Sequence, residues 1–227
     1  MSRAVQLSIN GVELLADPSG ALYWPARRVL VVADLHFEKG SAHASRGRFL
    51  PPYDTAATLE ALAAAIARHR PACVICLGDS FHDDAAAERL APDDCARLSG
   101  LASARDWIWI AGNHDPAPPA AWGGRVAGEV TLGALTFRHQ AKAGPTAGEI
   151  SGHYHPKAAV RTRAGRIAGR CFVGDRRRLV LPAFGAYTGG LDVRDAALAG
   201  LFPDGFTVRL LGRAGVYSFS KTALERR

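Results

Sequence analysis

Cysteine is scarce, with only Cys73, Cys76, Cys95 and Cys171 in 227 residues. Cys73 and Cys76 form a C-x-x-C pair, but both lie in an apolar run, and side chains three apart on a strand face opposite ways. A zinc knuckle needs a second such pair, which Cys95 and Cys171 do not supply. The four therefore read as inert core thiols, and the lack of disulfide spacing is consistent with a reducing compartment. Long apolar runs are also missing: none approaches the roughly 20 residues of a membrane helix, and no charged start leads into an apolar run. The expectation is a cytoplasmic protein with no membrane partner. No G-x-x-x-x-G-K sequence is present, so a P-loop nucleotide enzyme is unsupported. Internal repeats and low-complexity linkers are absent, and 48% apolar content is enough for a proper core, so residues 1–227 are expected to form a single domain.

Acidic residues are outnumbered, 21 against 28 Lys and Arg, giving a formal charge of +7 and a pI of about 9.6. That balance favours a polyanionic partner. Lys157, Arg161, Arg163, Arg166, Arg170, Arg176, Arg177 and Arg178 face one acid, Asp175. This stretch reads either as a track for a nucleic-acid backbone, with Arg176 to Arg178 contributing, or as a solvated basic loop.

The chain opens with a hairpin pattern, Val5 to Ile9 and Val12 to Leu15 around Asn10-Gly11, followed by a short strand from Ala21 to Trp24. Val29 to Ala33 is a β-branched run of the kind buried on both faces of a parallel sheet. Asp54 can cap a helix running to about His69, with Leu59, Leu62 and Ile66 on one face and Pro71 as a stop. A strand from Cys73 to Leu77, a helix over about Pro92 to Ala102 and a strand from Trp107 to Ala111 follow. Beyond Pro116 the spacing predicts strands at Val126 to Val130, Ala134 to His139, Gly148 to Ser151, Gly165 to Val173, Leu179 to Leu181, Phe206 to Leu211 and Val216 to Phe219. The fold class is α/β: two packed mixed β-sheets flanked by helices, a four-layer α/β/β/α sandwich.

Polar clusters stand where predicted strands give way to loops, where ligands of α/β sheets usually bind. They are Ala33-Asp34-Leu35-His36, Gly78-Asp79, Gly112-Asn113-His114-Asp115 and Gly152-His153-Tyr154-His155, with His139 standing alone between His114 and His153. Any one pair could be solvated surface; the ordered conjunction is what is specific. Asp34, His36, Asp79, Asn113, His139, His153 and His155 offer seven oxygen and nitrogen ligands without a thiolate, which suits two hard to borderline divalent ions such as Mn²⁺, Fe²⁺ or Zn²⁺. Two such ions, about 3.5 to 4 Å apart, need a bridging carboxylate and hold a hydroxide aimed at phosphorus. Asp79, ending a central strand, is the natural bridge. His43 and His69 read as ordinary loop and helix-end residues, and Trp107 and Trp109 as sheet packing.

The clusters resemble the five-part signature of the calcineurin-like metallophosphoesterase superfamily across residues 33 to 155. The resemblance implies that Asp34, His36 and His155 bind one metal, that Asn113, His139 and His153 bind the other, and that Asp79 binds both. It gives His114 the role of protonating the leaving oxygen, which suits an imidazole near neutral pH. His139 lacks the small residue that usually follows it in the superfamily, so its assignment rests on position. Asp115 could orient its loop from behind or simply cap it. His82 matches a variant of the second motif and stays outside the ligand set. The metal is two divalent ions, with Mn²⁺ preferred.

Over nearly its full length the chain also resembles the bacterial ligase-associated DNA-damage-response metallophosphoesterases. Ala33 to Gly40, Leu50 to Thr55 and Leu181 to Gly190 carry that likeness. It implies an endonuclease acting on DNA, preferably single-stranded or exposed, associated with an ATP-dependent DNA ligase and an exonuclease. Lys39, Arg46 and Arg48 follow the first cluster and are candidates to hold phosphates flanking the cut. Two other readings remain open, a hydrolase of small phosphate compounds such as a nucleotide pyrophosphatase or phosphatase, and a protein-binding scaffold whose metal site is idle.

Overall fold

The computed structural model describes residues 3–44, 47, 53–83, 85–116, 122–162 and 165–224. The chain begins with β1 (Val5–Ile9) and β2 (Val12–Ala16), paired around Asn10 and Gly11, whose φ angles of 48° and 78° are those of the tight turn that Asn-Gly favours. Then come β3 (Leu22–Trp24), β4 (Val29–Val32), α1 (Lys39–Ala44) and α2 (Asp54–His69). Next are β5 (Cys73–Leu77), α3 (Ala86–Arg89), α4 (Pro92–Ser103), β6 (Asp106–Ile110) and β7 (Arg125–Ala127). These seven strands form one sheet in chain order, antiparallel from β1 to β4 and parallel from β4 to β7.

The second half supplies β8 (Glu129–Leu132), β9 (Leu135–Arg138), β10 (Glu149–Ser151), β11 (Lys157–Thr162), β12 (Gly165–Gly174) and β13 (Arg178–Val180). α5 (Ala196–Ala199), β14 (Thr207–Gly212) and β15 (Gly215–Ser220) follow. The second sheet runs β15-β14-β12-β13-β10-β9-β8, with β11 hydrogen-bonded to the first part of β12.

Strand alternation assigns the layers. Val29 and Val31 of β4, Ile75 of β5 and Ile108 of β6 face Phe137, Ile150, Phe172 and Leu179 between the sheets. Leu30, Val32, Val74, Cys76 and Trp109 face outward onto Leu59, Leu62 and Ile66 of α2 and Leu98 of α4. Leu62 is fully buried there, so its truncation to Ala should cost about 2–5 kcal/mol. Val173, Val180, Val208 and Leu210 on the far face of the second sheet meet Leu198 of α5, Phe202 and Phe206. The α/β/β/α layering matches the sequence reading. All four cysteines are free, and among the described residues no helix is long and apolar enough to cross a membrane.

Two expectations are corrected. Val126 to Val130 is two strands, because the chain leaves the first sheet at Gly128 and enters the second, and an apolar pattern does not register which sheet supplies the partner. The stretch that begins at Lys157 is not a loop but a hairpin of β11 and β12 followed by a turn; Lys157 pairs with Arg170 and Arg161 with Arg166 across it, so these four cations share one face. Arg178 is buried and paired with Glu149 at 3.3 Å, and Arg176 and Arg177 lie at the end of β13 opposite the metal-ligand loops.

Candidate metal centre

The C-terminal ends of three strands of the first sheet and two of the second converge on one rim. β4 delivers Asp34 and His36, β5 delivers Asp79, β6 leads to Asn113, His114 and Asp115, β9 delivers His139, and β10 delivers His153 and His155. The loops are laced together by main chain: His36 N–H donates to Asp79 O (2.9 Å), Gly152 N–H to His139 O (2.8 Å), and Phe184 N–H to Ala33 O (2.8 Å). Asp34, His36, Asp79, His153 and His155 all have φ between 46° and 71°. Non-glycine residues rarely occupy this left-handed region, and its concentration here means the fold holds strained turns to aim these side chains.

The glycines that open three of the clusters have a steric reason. A Cβ on Gly78 would lie 2.6 Å from the His139 ring, one on Gly152 would lie 2.7 Å from Asp34 Oδ2, and one on Gly112 would overlap the Asp79 backbone nitrogen and carboxylate. Each side chain therefore sits against bare backbone.

Two groups of ligand atoms result, Asp34 with His36 and His155, and Asp79 with His139 and His153. In the first, His36 Nε2 and His155 Nε2 are 3.3 Å apart, and His155 Nε2 is 3.5 Å from Asp34 Oδ1. In the second, His139 Nε2 is 3.1 Å from His153 Nδ1 and 3.4 Å from Asp79 Oδ1. Asp79 Oδ2 turns the other way, 4.0 Å from His36 Nε2, so one carboxylate faces both groups. Nitrogen lone pairs this close repel unless a cation lies between them. Two imidazoles on one tetrahedral ion, each bonded at about 2.0–2.1 Å, would have nitrogens about 3.3 Å apart, so the donor set fits a pair of divalent ions. His139 Nδ1 faces the Leu77 carbonyl at 2.8 Å, which fixes the tautomer that leaves Nε2 as the ligand atom. Burial, then the electrostatic opposition of His155 and Lys39, pushes the His36 imidazole down to about 2, so it is neutral and able to coordinate.

Asn113 is exposed in the loop after β6. His114, next to it, donates its backbone N–H to Asp79 Oδ1 (2.9 Å), and its Nδ1 is 3.0 Å from the His82 carbonyl. The ring of His82 stacks on that of His114 at 5.3 Å and also meets His36 edge-on at 5.6 Å. Burial, reinforced by Lys39 and His114 and opposed by Asp83, pushes the His82 imidazole down to about 4. Asp115 Oδ2 accepts from the backbone N–H groups of Ser80 (2.7 Å) and Phe81 (3.2 Å), which ties the β6 loop to the β5 loop. Burial, with Asp79 adding to it, raises the Asp115 carboxyl to about 7 against those hydrogen bonds.

Lys39 opens α1 beside this cluster, while Arg46 and Arg48 lie outside the described residues. The sequence reading missed what positions Lys39. Glu38, buried at φ 64°, accepts from Thr55 Oγ1 (2.9 Å) and Ser41 Oγ (2.6 Å), and Gly40 N–H donates to Asp54 (2.9 Å). An acid two residues after His36, with Asp54-Thr55 at a predicted helix start, is the signal the sequence carries.

A family model described as calcineurin-like phosphoesterase matches residues 27–164. The crystal structure of Pseudomonas putida nuclease MPE is 32% identical, with a TM-score of 0.73, over 96% of this chain and 100% of that chain. YfcE, a phosphoesterase from E. coli, shows a remote likeness of 13% identity and TM-score 0.42, over 85% of this chain and 98% of that one. No curated protein sequence matches. With two clusters of ligand atoms on such a frame, the chain belongs to the calcineurin-like phosphoesterases and is a metal-dependent phosphoesterase.

Proposed function

We propose that the chain is a two-metal phosphodiesterase that cuts DNA, preferably single-stranded or exposed, in ligase-associated repair. The observation that carries this reading is the Asp79 carboxylate, whose oxygens face two separate clusters of ligand atoms on one rim. Asp34, His36 and His155 would hold one ion, Asn113, His139 and His153 the other, and Asp79 both, with Mn²⁺ as the preferred metal. When bound, the ions supply activation of water and neutralisation of phosphoryl charge. His114, whose Nδ1 side is engaged by the His82 carbonyl, has Nε2 to carry the proton for the leaving oxygen. Lys39 holds a flanking phosphate, and Arg46 and Arg48 are assigned with it from the sequence alone. The likeness to a nuclease over 96% of this chain and all of that one supports DNA as substrate, and an ATP-dependent ligase and an exonuclease are the expected partners.

The test is Mn²⁺-loaded protein and its Asp79→Ala variant, each given single-stranded DNA, duplex DNA and a panel of nucleotides. Cleavage of single-stranded DNA that disappears in a folded Asp79→Ala protein is the expected result. Full activity in that variant would refute the mechanism, and nucleotide turnover with intact DNA would move the assignment to a small-molecule hydrolase.

A further inference from the structure

The segment from Phe184 to Leu191 is pinned at both ends to the metal-ligand loops. Phe184 is buried in the core, Gly185 N–H donates to Asp34 O (3.2 Å), and Gly185 packs so closely on the Leu35 carbonyl that a Cβ there would overlap it. Ala186 N–H donates to Thr58 Oγ1 (3.0 Å), and Gly190 lies against the His155 carbonyl. Between these anchors stands Tyr187, 44% exposed at φ 56°. A bulky side chain in the left-handed region is uncommon and unfavourable, so the fold holds an aromatic ring out where a glycine would be easier.

Tyr187 borders a cleft of about 410 Å³ whose lining includes Lys157 and Arg170 and, among the described residues, no carboxylate. Arg170 donates to the carbonyls of Ala183 (2.7 Å) and Phe184 (3.2 Å), so its charge is not cancelled by those partners. Lys157 follows the ligand His155 by two residues, reaches the Thr188 carbonyl at 3.4 Å, and is close enough to Lys39 to oppose its charge. An exposed ring beside cations is the combination that binds single-stranded nucleic acid, with bases stacked on the ring and phosphates on the cations. A duplex keeps its bases within the stack and offers the ring nothing.

We propose that Tyr187 is the stacking platform for an unpaired base near the cut phosphate, with Lys157 and Arg170 facing the adjoining backbone. This rests on the DNA-cutting reading and adds the feature that selects single strands. It makes Tyr187 a substrate-binding residue that leaves the chemical step untouched.

The experiment compares wild type, Tyr187→Ala and Tyr187→Phe in Mn²⁺ on a single-stranded oligonucleotide, on oligonucleotides with one abasic position, and on methyl p-nitrophenyl phosphate, which has no base. A lost stack of about 1–3 kcal/mol predicts a KM for single-stranded DNA raised about 5- to 150-fold in Tyr187→Ala, with kcat kept. Tyr187→Phe should behave as wild type, and the base-free diester should be turned over equally by all three. An abasic position at the stacked site should weaken wild type and leave Tyr187→Ala unchanged. Wild-type KM in Tyr187→Ala, or an equal loss on both substrates, would overturn the proposal while leaving the DNA reading intact. A wild-type protein that turns over the small diester but never DNA would remove both.

Discussion

Nε2 of His139 lies 3.1 Å from Nδ1 of His153, while the opposite nitrogen of His139 faces the Leu77 carbonyl at 2.8 Å. The carbonyl takes the only proton a neutral imidazole has, so the nitrogen facing His153 is a bare lone pair. His139→Ala should therefore lower the bound metal by one ion per chain. Partners that merely orient a ligand are worth about 10- to 100-fold, so loss of the ligand itself should reduce turnover by more than about 10²-fold. Metal content by plasma mass spectrometry beside the rate constant checks this, and two ions retained in the variant would remove His139 from the site.

His114 is exposed, and its Nδ1 is 3.0 Å from the His82 carbonyl. If Nε2 protonates the leaving oxygen, the need for it depends on how poor the leaving group is. His114→Ala should cost about 10²–10⁴-fold on DNA, whose leaving alkoxide requires a proton, and far less on a p-nitrophenyl diester, whose leaving phenolate is stable without one. Equal losses on the two substrates would assign His114 to binding or loop structure.

Strong local patterns were legible before any tertiary information. α2 ends at His69 as its apolar spacing predicts, although Asp54 is its first helical residue and Tyr53 takes the cap position, and β5 has the bounds of its continuous apolar run, Cys73 to Leu77. Asp34, His36, Asp79, His139, His153 and His155 were candidates because each follows a strand, where ligands of α/β sheets usually bind; that strands of two different sheets bring them into two groups is seen only in the structure. What was not legible depends on partners distant in sequence. Lys157–Thr162, with Ala158 and Val160 buried, is a strand not among those expected from the sequence; its partner is the first part of β12. The role of Arg178 is decided by Glu149, 29 positions away, and that of Gly112 by the backbone of Asp79.

Two glycines separate local propensity from tertiary fit. Gly100 lies exposed inside α4 with open space where a Cβ would go, so Gly100→Ala should stabilise the protein by about 0.5–1 kcal/mol. A Cβ on Gly112 would overlap Asp79, so Gly112→Ala should lower Tm and turnover together even though alanine is ordinarily the less costly residue to order. Melting curves of the two variants beside wild type read both. A Gly112→Ala protein with wild-type Tm and activity would mean that the loop has room to retreat.

Asp17, in the turn after β2, is buried and accepts from Ser19 N–H (2.8 Å), from Arg68 Nη1 with both oxygens (2.8 Å each), and lies 2.7 Å from His69 Nε2. It clamps the β2–β3 turn to the last turn of α2, where the His69 ring also stacks on Tyr23 at 4.5 Å. Burial pushes its carboxyl up, but the hydrogen bonds from Ser19, His69 and Arg68 outweigh that and hold it below the ordinary 3.8. A carboxyl whose pKa is depressed on folding contributes its full stability above the unfolded value and loses it as pH falls through the folded one. Hydrogen bonds to a charged group contribute about 1.5–3 kcal/mol, so Asp17→Asn should be less stable than wild type by that amount at pH 7. The gap should narrow once the pH drops below 3.8, where the wild-type carboxylate starts to take up its proton. Urea denaturation of both proteins from neutral to acidic pH measures the gap directly, and a difference that stays constant across that range would show that the clamp does not depend on the charge of Asp17.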